Sequence, residues 1–348
     1  MKSLLVLKEN IRNIYSRYEA YITPAFKFVL ALITMLVING KLGYMTKINS
    51  FPVVMVVTLL CSCLPYNLII IIAAAVVLLH LYALSMECAI VAMCIFVLMF
   101  LLYFRLSPKH ALLVLLTPVC FMLNIPIVIP LVAGLLCTPA AIVSTTFGVV
   151  TYYMLDYVSA NVATFNSAET EIQKIRIMID GVLNNRLMMV VAATFAATIL
   201  VVYILRKKAM DYAWTIAMIA GAILNVLILL LGELVLDLNI SIVGTILGAI
   251  VSVLLAQVVK FFVFNVDYSR TEYVQFEDDE YYYYVKAVPK ITVAVADKSV
   301  KRINIQRKSA APQKSVAQRP NGQKPMPRAG QMRTPVKEHQ TRTGNGIR

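Results

Sequence analysis

Charge is what this sequence has least of. Of 348 residues only 14% are Asp, Glu, Lys or Arg, against about 25% in a soluble domain. Whole stretches hold none: Leu68–Leu84 runs 17 residues without an acid or a lysine or arginine. A soluble helix needs a polar face every turn, so this shortage excludes an ordinary globular domain.

Histidine is nearly as scarce. His80, His110 and His339 lie far apart, which argues against a multi-histidine metal centre, and no H-E-x-x-H pair occurs. No G-x-x-x-x-G-K-[ST] loop is present, so nucleotide hydrolysis by that route is excluded. No local Ser/His/Asp signature is found. The six cysteines sit in or beside apolar segments without zinc-site spacing, and read as small packing residues rather than a disulfide framework. The sequence therefore predicts no catalytic residue, no metal and no cofactor.

What remains is apolar: 60% hydrophobic residues and a mean hydropathy of +0.77. The expected fold is an all-α polytopic membrane protein of roughly eight to ten transmembrane helices, some of them proline-broken or re-entrant. A small cytoplasmic β meander and a disordered basic tail follow. Apolar segments fall at about 25–39, 51–64, 66–84, 86–104, 109–123, 125–137, 139–155, 187–205, 213–231 and 240–264. A full crossing takes about 20 residues. The segments 51–64, 109–123 and 125–137 are shorter, and prolines interrupt them.

Residues 1–23 do not read as a signal peptide. Leu4, Leu7, Ile11, Ile14, Tyr18 and Tyr21 share one helical face with Lys8, Arg12 and Arg17 off it, the pattern of an interfacial amphipathic helix or a short coiled-coil partner site. Lysine and arginine mark the cytoplasmic side. They cluster in the N-terminal segment, at Arg206–Lys208 and in the tail, while the 232–239 connection offers Glu233 and Asp237. Both ends are therefore expected in the cytoplasm of a cell membrane. The segment about 167–184 is expected outside, as a helix with an apolar face of Ala168, Ile172, Ile175, Ile179 and Val182.

Residues 266–305 read as a β-rich module: strands at 272–276, 281–288 and 291–296, with an acidic turn Glu277-Asp278-Asp279-Glu280. From Lys301 onward twelve basic residues face one acid, Glu338. The region 306–348 is too polar to bury a core and is expected to stay disordered. Lys301, Arg302, Arg307 and Lys308 open this tail. It suits anionic inner-leaflet lipid, with a cytoplasmic protein or nucleic acid as other partners.

Two proline motifs carry the functional reading. Leu64-Pro65-Tyr66-Asn67 and Leu123-Asn124-Ile125-Pro126 each join a short apolar segment to another. Helices broken inside a bundle can hold a solute on unwound backbone, so Pro65, Asn67, Asn124 and Pro126 are candidate substrate-binding residues; two tight turns is the plainer alternative. Ala213/Ala217/Gly221 and Gly244/Gly248 are spaced by four, suiting close helix packing. Two functions stay open: a transport or permease component without its own ATPase, and a non-catalytic scaffold recruiting partners or lipid through its cytoplasmic ends. A polar cavity within the bundle favours the first.

Overall fold

The structure is a computed structural model describing residues 2–167, 170–208, 210–238, 241–263 and 272–287. All belong to the first of two units, Met1–Ala294 and Val295–Arg348.

Lipid offers the backbone no hydrogen bonds, so an apolar run satisfies its own as a helix. Among the described residues these are α1 (Lys2–Lys41), α2 (Thr46–Asn49), α3 (Phe51–Cys63), α4 (Tyr66–Leu84), α5 (Met86–Leu106), α6 (Ala111–Met122), α7 (Val128–Leu136), α8 (Ala141–Ala160), α9 (Val162–Ser167), α10 (Glu171–Leu183), α11 (Arg186–Arg206), α12 (Ala213–Leu236) and α13 (Ile242–Val263). Each apolar segment of the sequence overlaps one of them. Six stretches are long and apolar enough to cross a membrane: Val6–Lys41, Tyr66–Leu84, Met86–Leu106, Glu171–Arg206, Ala213–Leu236 and Ile242–Val263. This fits an integral, multi-pass membrane protein.

The N-terminal segment is continuous with the first span. Helix α1 leaves helical backbone angles only at Tyr18 and carries Pro24 inside. Leu7, Ile11, Ile14, Tyr18 and Tyr21 are all exposed, so the predicted stripe is left uncovered.

Helix α8 is the hub, touching α1, α5, α6, α7, α10 and α11. It is enclosed by helices, so it can carry hydroxyls that a lipid-facing helix could not. Thr145 and Thr151 return theirs to the backbone, donating to Ala141 O at 3.2 Å and Phe147 O at 2.9 Å.

Contacts between helix ends sort the bundle into two ends. At one, Lys8 Nζ donates to Phe261 O, Tyr103 Oη donates to Asn67 Oδ1 at 2.7 Å, and the Ser107 and Ser144 hydroxyls meet at 2.5 Å. At the other, His80 bonds Asn39 Oδ1 at 2.9 Å and Lys41 pairs with Asp156. The start of α1 and the close of α13 therefore lie at the same end.

Helix α10 is rotated partway from its predicted face. Val182 of that face is buried and Ile175 half-buried, but Met178 outside it is fully buried and Ile172 is 79% exposed. Gly181 explains the rotation: a Cβ there would land on the Tyr157 ring. The ring lies across the glycine, its hydroxyl donating to Ile177 O at 3.1 Å.

Strands β1 (Glu272–Glu277) and β2 (Tyr282–Ala287) pair antiparallel, with Val274 opposite Val285 and Phe276 opposite Tyr283. The segment expected as a third strand, the tail, and with it Lys301, Arg302, Arg307 and Lys308 lie outside the described residues. In the acidic turn Asp278 is occupied internally. Its carboxylate accepts the backbone N–H of Glu280 and Tyr281 at 3.0 and 2.7 Å, and Tyr283 Oη at 2.8 Å. Those donors, the Glu280 N–H first, hold the carboxyl below its ordinary 3.8. A depressed acid stabilises the fold above its unfolded pKa and loses that contribution as pH falls through the lower folded value. The turn should thus keep this support at pH 3.8 and above and lose it only as the pH falls further, through the lower folded value. The ¹⁵N–¹H shifts of Glu280 and Tyr281 should report that step in the wild type and not in Asp278→Asn.

Candidate functional site

The α6–α7 connection begins as a helix cap. Asn124 N donates to Phe121 O at 3.1 Å and Ile125 N to Cys120 O at 3.0 Å, while Asn124 takes the left-handed conformation at φ 57°. This is the Schellman arrangement, which wants Gly or Asn at that position and often a proline just beyond. Asn124 and Pro126 thus have a backbone reason for their identity. The turn also fixes a height within the bundle.

A cavity of about 480 Å³ lies over this turn. Asn124, Pro126 and Ile127 border it from below, with Tyr152, Tyr153 and Asp156 of α8 on one side and Gly244, Thr245 and Gly248 of α13 on another. Gly248 is six residues into α13, about 9 Å from its start at 1.5 Å per residue. Phe195 is nine residues into α11, about 13 Å by the same rise. Helices α6 and α7 therefore turn back well short of the ends of their neighbours, leaving the space above them.

The wall is aromatic. Phe121 stacks on Tyr152 with centroids 4.5 Å apart and planes 16° apart, and on Phe195 at 5.8 Å and 22°; Tyr153 meets Phe121 edge-on at 5.6 Å. Asp156, the one acid of α8, lines the cavity. Its Oδ1 accepts Lys41 Nζ at 2.5 Å, and the same ammonium lies 5.5 Å from the Tyr152 ring centroid. The two side chains are 25% and 46% exposed. An ion pair this wet contributes about 0–1 kcal/mol, so either partner exchanges easily.

Polar groups continue below. Asn225 lies one turn beneath the cavity-lining Leu229, and Ser252 one turn beneath Gly248. Both are fully buried. Asn225 Nδ2 donates to Thr198 Oγ1 at 3.1 Å, while Asn225 Oδ1 and Ser252 Oγ have no hydrogen-bond partner among the described residues.

The structure does not bring the two proline motifs together. Pro65 caps α4, receiving the N–H of Leu68 and Ile69, and Asn67 is held by Tyr103 at the opposite end of the bundle from the Lys41–Asp156 pair. Ala213 and Ala217 are buried on α12, and a Cβ on Gly221 would strike Val202. Gly244 and Gly248 instead border the cavity, where a Cβ on Gly248 would meet only Asn124 O at 3.7 Å.

Asp156 and Lys41 escaped the sequence reading because they are 115 residues apart and each falls just past an apolar segment. A Tyr-Tyr-x-x-Asp run closing an otherwise uncharged helix was the available signal. Among the described residues no cluster of three His, Cys, Asp or Glu could hold a metal, and the six cysteines are free. No protein-family model matches the chain, and comparison with curated proteins and with solved structures finds no match either.

Proposed function

We propose that the chain is the membrane-embedded, solute-handling component of a transport system, with the cavity as an external vestibule. The observation that carries this is the α6–α7 turn flooring a partly polar cavity some 9–13 Å below the neighbouring helix ends. A hairpin that enters from one side, turns inside the bilayer and returns is tolerated only where protein or a water-filled space covers it, and transporters place solute sites at such broken helices. Asn225 Oδ1 and Ser252 Oγ, without partners among the described residues, extend the polar track towards the bundle centre. Arg206–Lys208 and the basic N-terminal segment assign the opposite end to the cytoplasm of a cell membrane, so the vestibule faces outward. With no phosphate loop of its own, the chain draws energy from an existing gradient or a separate subunit.

Thiol accessibility tests this. With the six native cysteines replaced by alanine, Thr245→Cys and Asn124→Cys should both react in intact cells with a membrane-impermeant maleimide. Adding Gly248→Leu, which fills the space over Asn124, should slow labelling of Asn124→Cys at least about tenfold while sparing Thr245→Cys. Protection of both cysteines would end the vestibule reading.

A second reading draws on the hairpin. Tyr273, Phe276, Tyr282 and Tyr284 are all exposed, and large aromatics left open in this way mark interaction surfaces. On that reading the chain is a scaffold, its N-terminal helix, hairpin and basic tail recruiting a cytoplasmic protein or anionic lipid.

A further inference from the structure

We propose that the vestibule binds an organic ammonium ion, and that the Lys41 side chain competes for the same carboxylate. This rests on the vestibule reading above and adds the chemical class of the ligand.

Among the described residues the lining holds a single charged residue, Asp156, and no lysine, arginine or histidine. Once Lys41 is displaced from it, that carboxylate makes the space favourable to cations and hostile to anions. One side of the lining is aromatic, formed by the packed rings of Phe121, Tyr152, Tyr153 and Phe195, and Leu187, Val191 and Leu229 add aliphatic surface. Ring faces attract ammonium groups through their quadrupole, and a carboxylate beside an aromatic wall is how proteins recognise alkylammonium ligands. A bare inorganic cation would gain little from the rings, and 480 Å³ is far more room than it needs.

The chain itself supplies the second observation. An ammonium already sits against this carboxylate and ring: Lys41 Nζ is 2.5 Å from Asp156 Oδ1 and 5.5 Å from the Tyr152 centroid. Lys41 is not among the lining residues; it reaches Asp156 as the last residue of α1, on a flexible stem. The pair is partly hydrated on both sides, so an incoming ammonium can take over the carboxylate without first breaking a buried bond. Lys41 thereby keeps the vestibule near neutral when empty and sets a threshold concentration for binding.

Benzyltrimethylammonium is a suitable probe, because its charge is permanent and titrates with nothing. Binding to the purified full-length protein is read by calorimetry, with benzyl alcohol as the uncharged comparison. Asp156→Asn should weaken binding at least about tenfold, and Lys41→Gln should tighten it about three- to tenfold, the scale of one cation–aromatic or half-exposed ionic contact. Benzyl alcohol should respond to neither change. Equal binding by wild type, Asp156→Asn and Lys41→Gln, or no binding by any, overturns the proposal. So does weaker binding by Lys41→Gln, which would make Lys41 a support rather than a competitor. Should Asp156→Asn fail to fold, Lys41→Gln decides alone. If Thr245→Cys and Asn124→Cys label from outside while the ammonium fails to bind, only the ligand class falls. If neither labels, the vestibule falls with it.

Discussion

Replacing Arg206 by alanine should unseat α7 from the bundle. Its guanidinium donates to Leu135 O and to Cys137 O, the latter at 2.7 Å. These are carbonyls at the end of α7 that the helix itself cannot satisfy. Leu135 is fully buried, and a buried carbonyl left without a donor costs about 1–3 kcal/mol. That cost, with the half-exposed Cys137 carbonyl and the guanidinium's place 5.0 Å from the Tyr203 ring and 6.0 Å from that of Trp214, gives an expected loss of about 2–4 kcal/mol. Arg206→Lys keeps the charge but loses the fork that reaches two acceptors at once, so it should fall between. Trp214 is the only tryptophan in the chain, and its emission in purified protein reports the change directly. A melting curve and emission spectrum unaltered in Arg206→Ala would show that α7 is held by packing alone.

The other large effect is expected at Gly148. A Cβ there would land on the Cβ of Thr117, which is fully buried and bonded back to Leu113 O at 2.6 Å. Neither side can step aside, since the obstructing atom is next to the α6 backbone. Gly148→Val should cost about 3 kcal/mol, at the upper end of overpacking penalties, and even Gly148→Ala about 1–2 kcal/mol by the same mechanism. Gly244→Ala, where the new carbon meets only its neighbour Ser241, should fall within about 0.5 kcal/mol of wild type. The pair has a direct check: Thr117→Gly removes the obstructing atom. The double variant Gly148→Ala/Thr117→Gly should therefore be less destabilised than its two single variants summed. Additive losses would show that the contact is not what holds α6 and α8 together. The stack of Phe121 on Tyr152 sits on this same pair of helices, so loosening it should also blunt ammonium binding.

What could be read in the sequence followed from composition and spacing. Helical segments were legible because uncharged runs admit one backbone solution in lipid, and their order followed from where the runs stop. Against the eight to ten crossings expected, however, six stretches among the described residues are long and apolar enough to span. The hairpin was legible at Glu272–Phe276 and Tyr281–Val288 because aromatic and β-branched residues flank four acids. Asn124 and Pro126 stood out as breakers, though their cap geometry was not recognised; Asn-Ile-Pro after an apolar run is a helix-stop signal as much as a binding motif. The Asn67 motif looked equivalent in sequence and is not in space, because composition carries no information about which turn faces a void. The cavity's chemistry could not be read locally. It is assembled from α6, α7, α8, α11, α12 and α13, and its ion pair joins residues that no periodicity connects. Gly181 likewise rotated α10 partway from the face its apolar spacing suggested, since a missing side chain shows its effect only beside the ring that fills the gap.

The Arg206 clamp has a consequence for how the protein is made. The carbonyls it satisfies are 69 and 71 residues earlier in the chain. At about 5–20 residues per second, a ribosome that has finished α7 needs roughly 4–14 s to deliver the arginine. Until then the short α6–α7 hairpin has neither the length to span the bilayer unaided nor the donors to close its own end. It must wait at the insertion machinery, or shelter against the earlier helices, for a partner not yet synthesised. Early α7 thus depends on late α11 for the contact that closes its end.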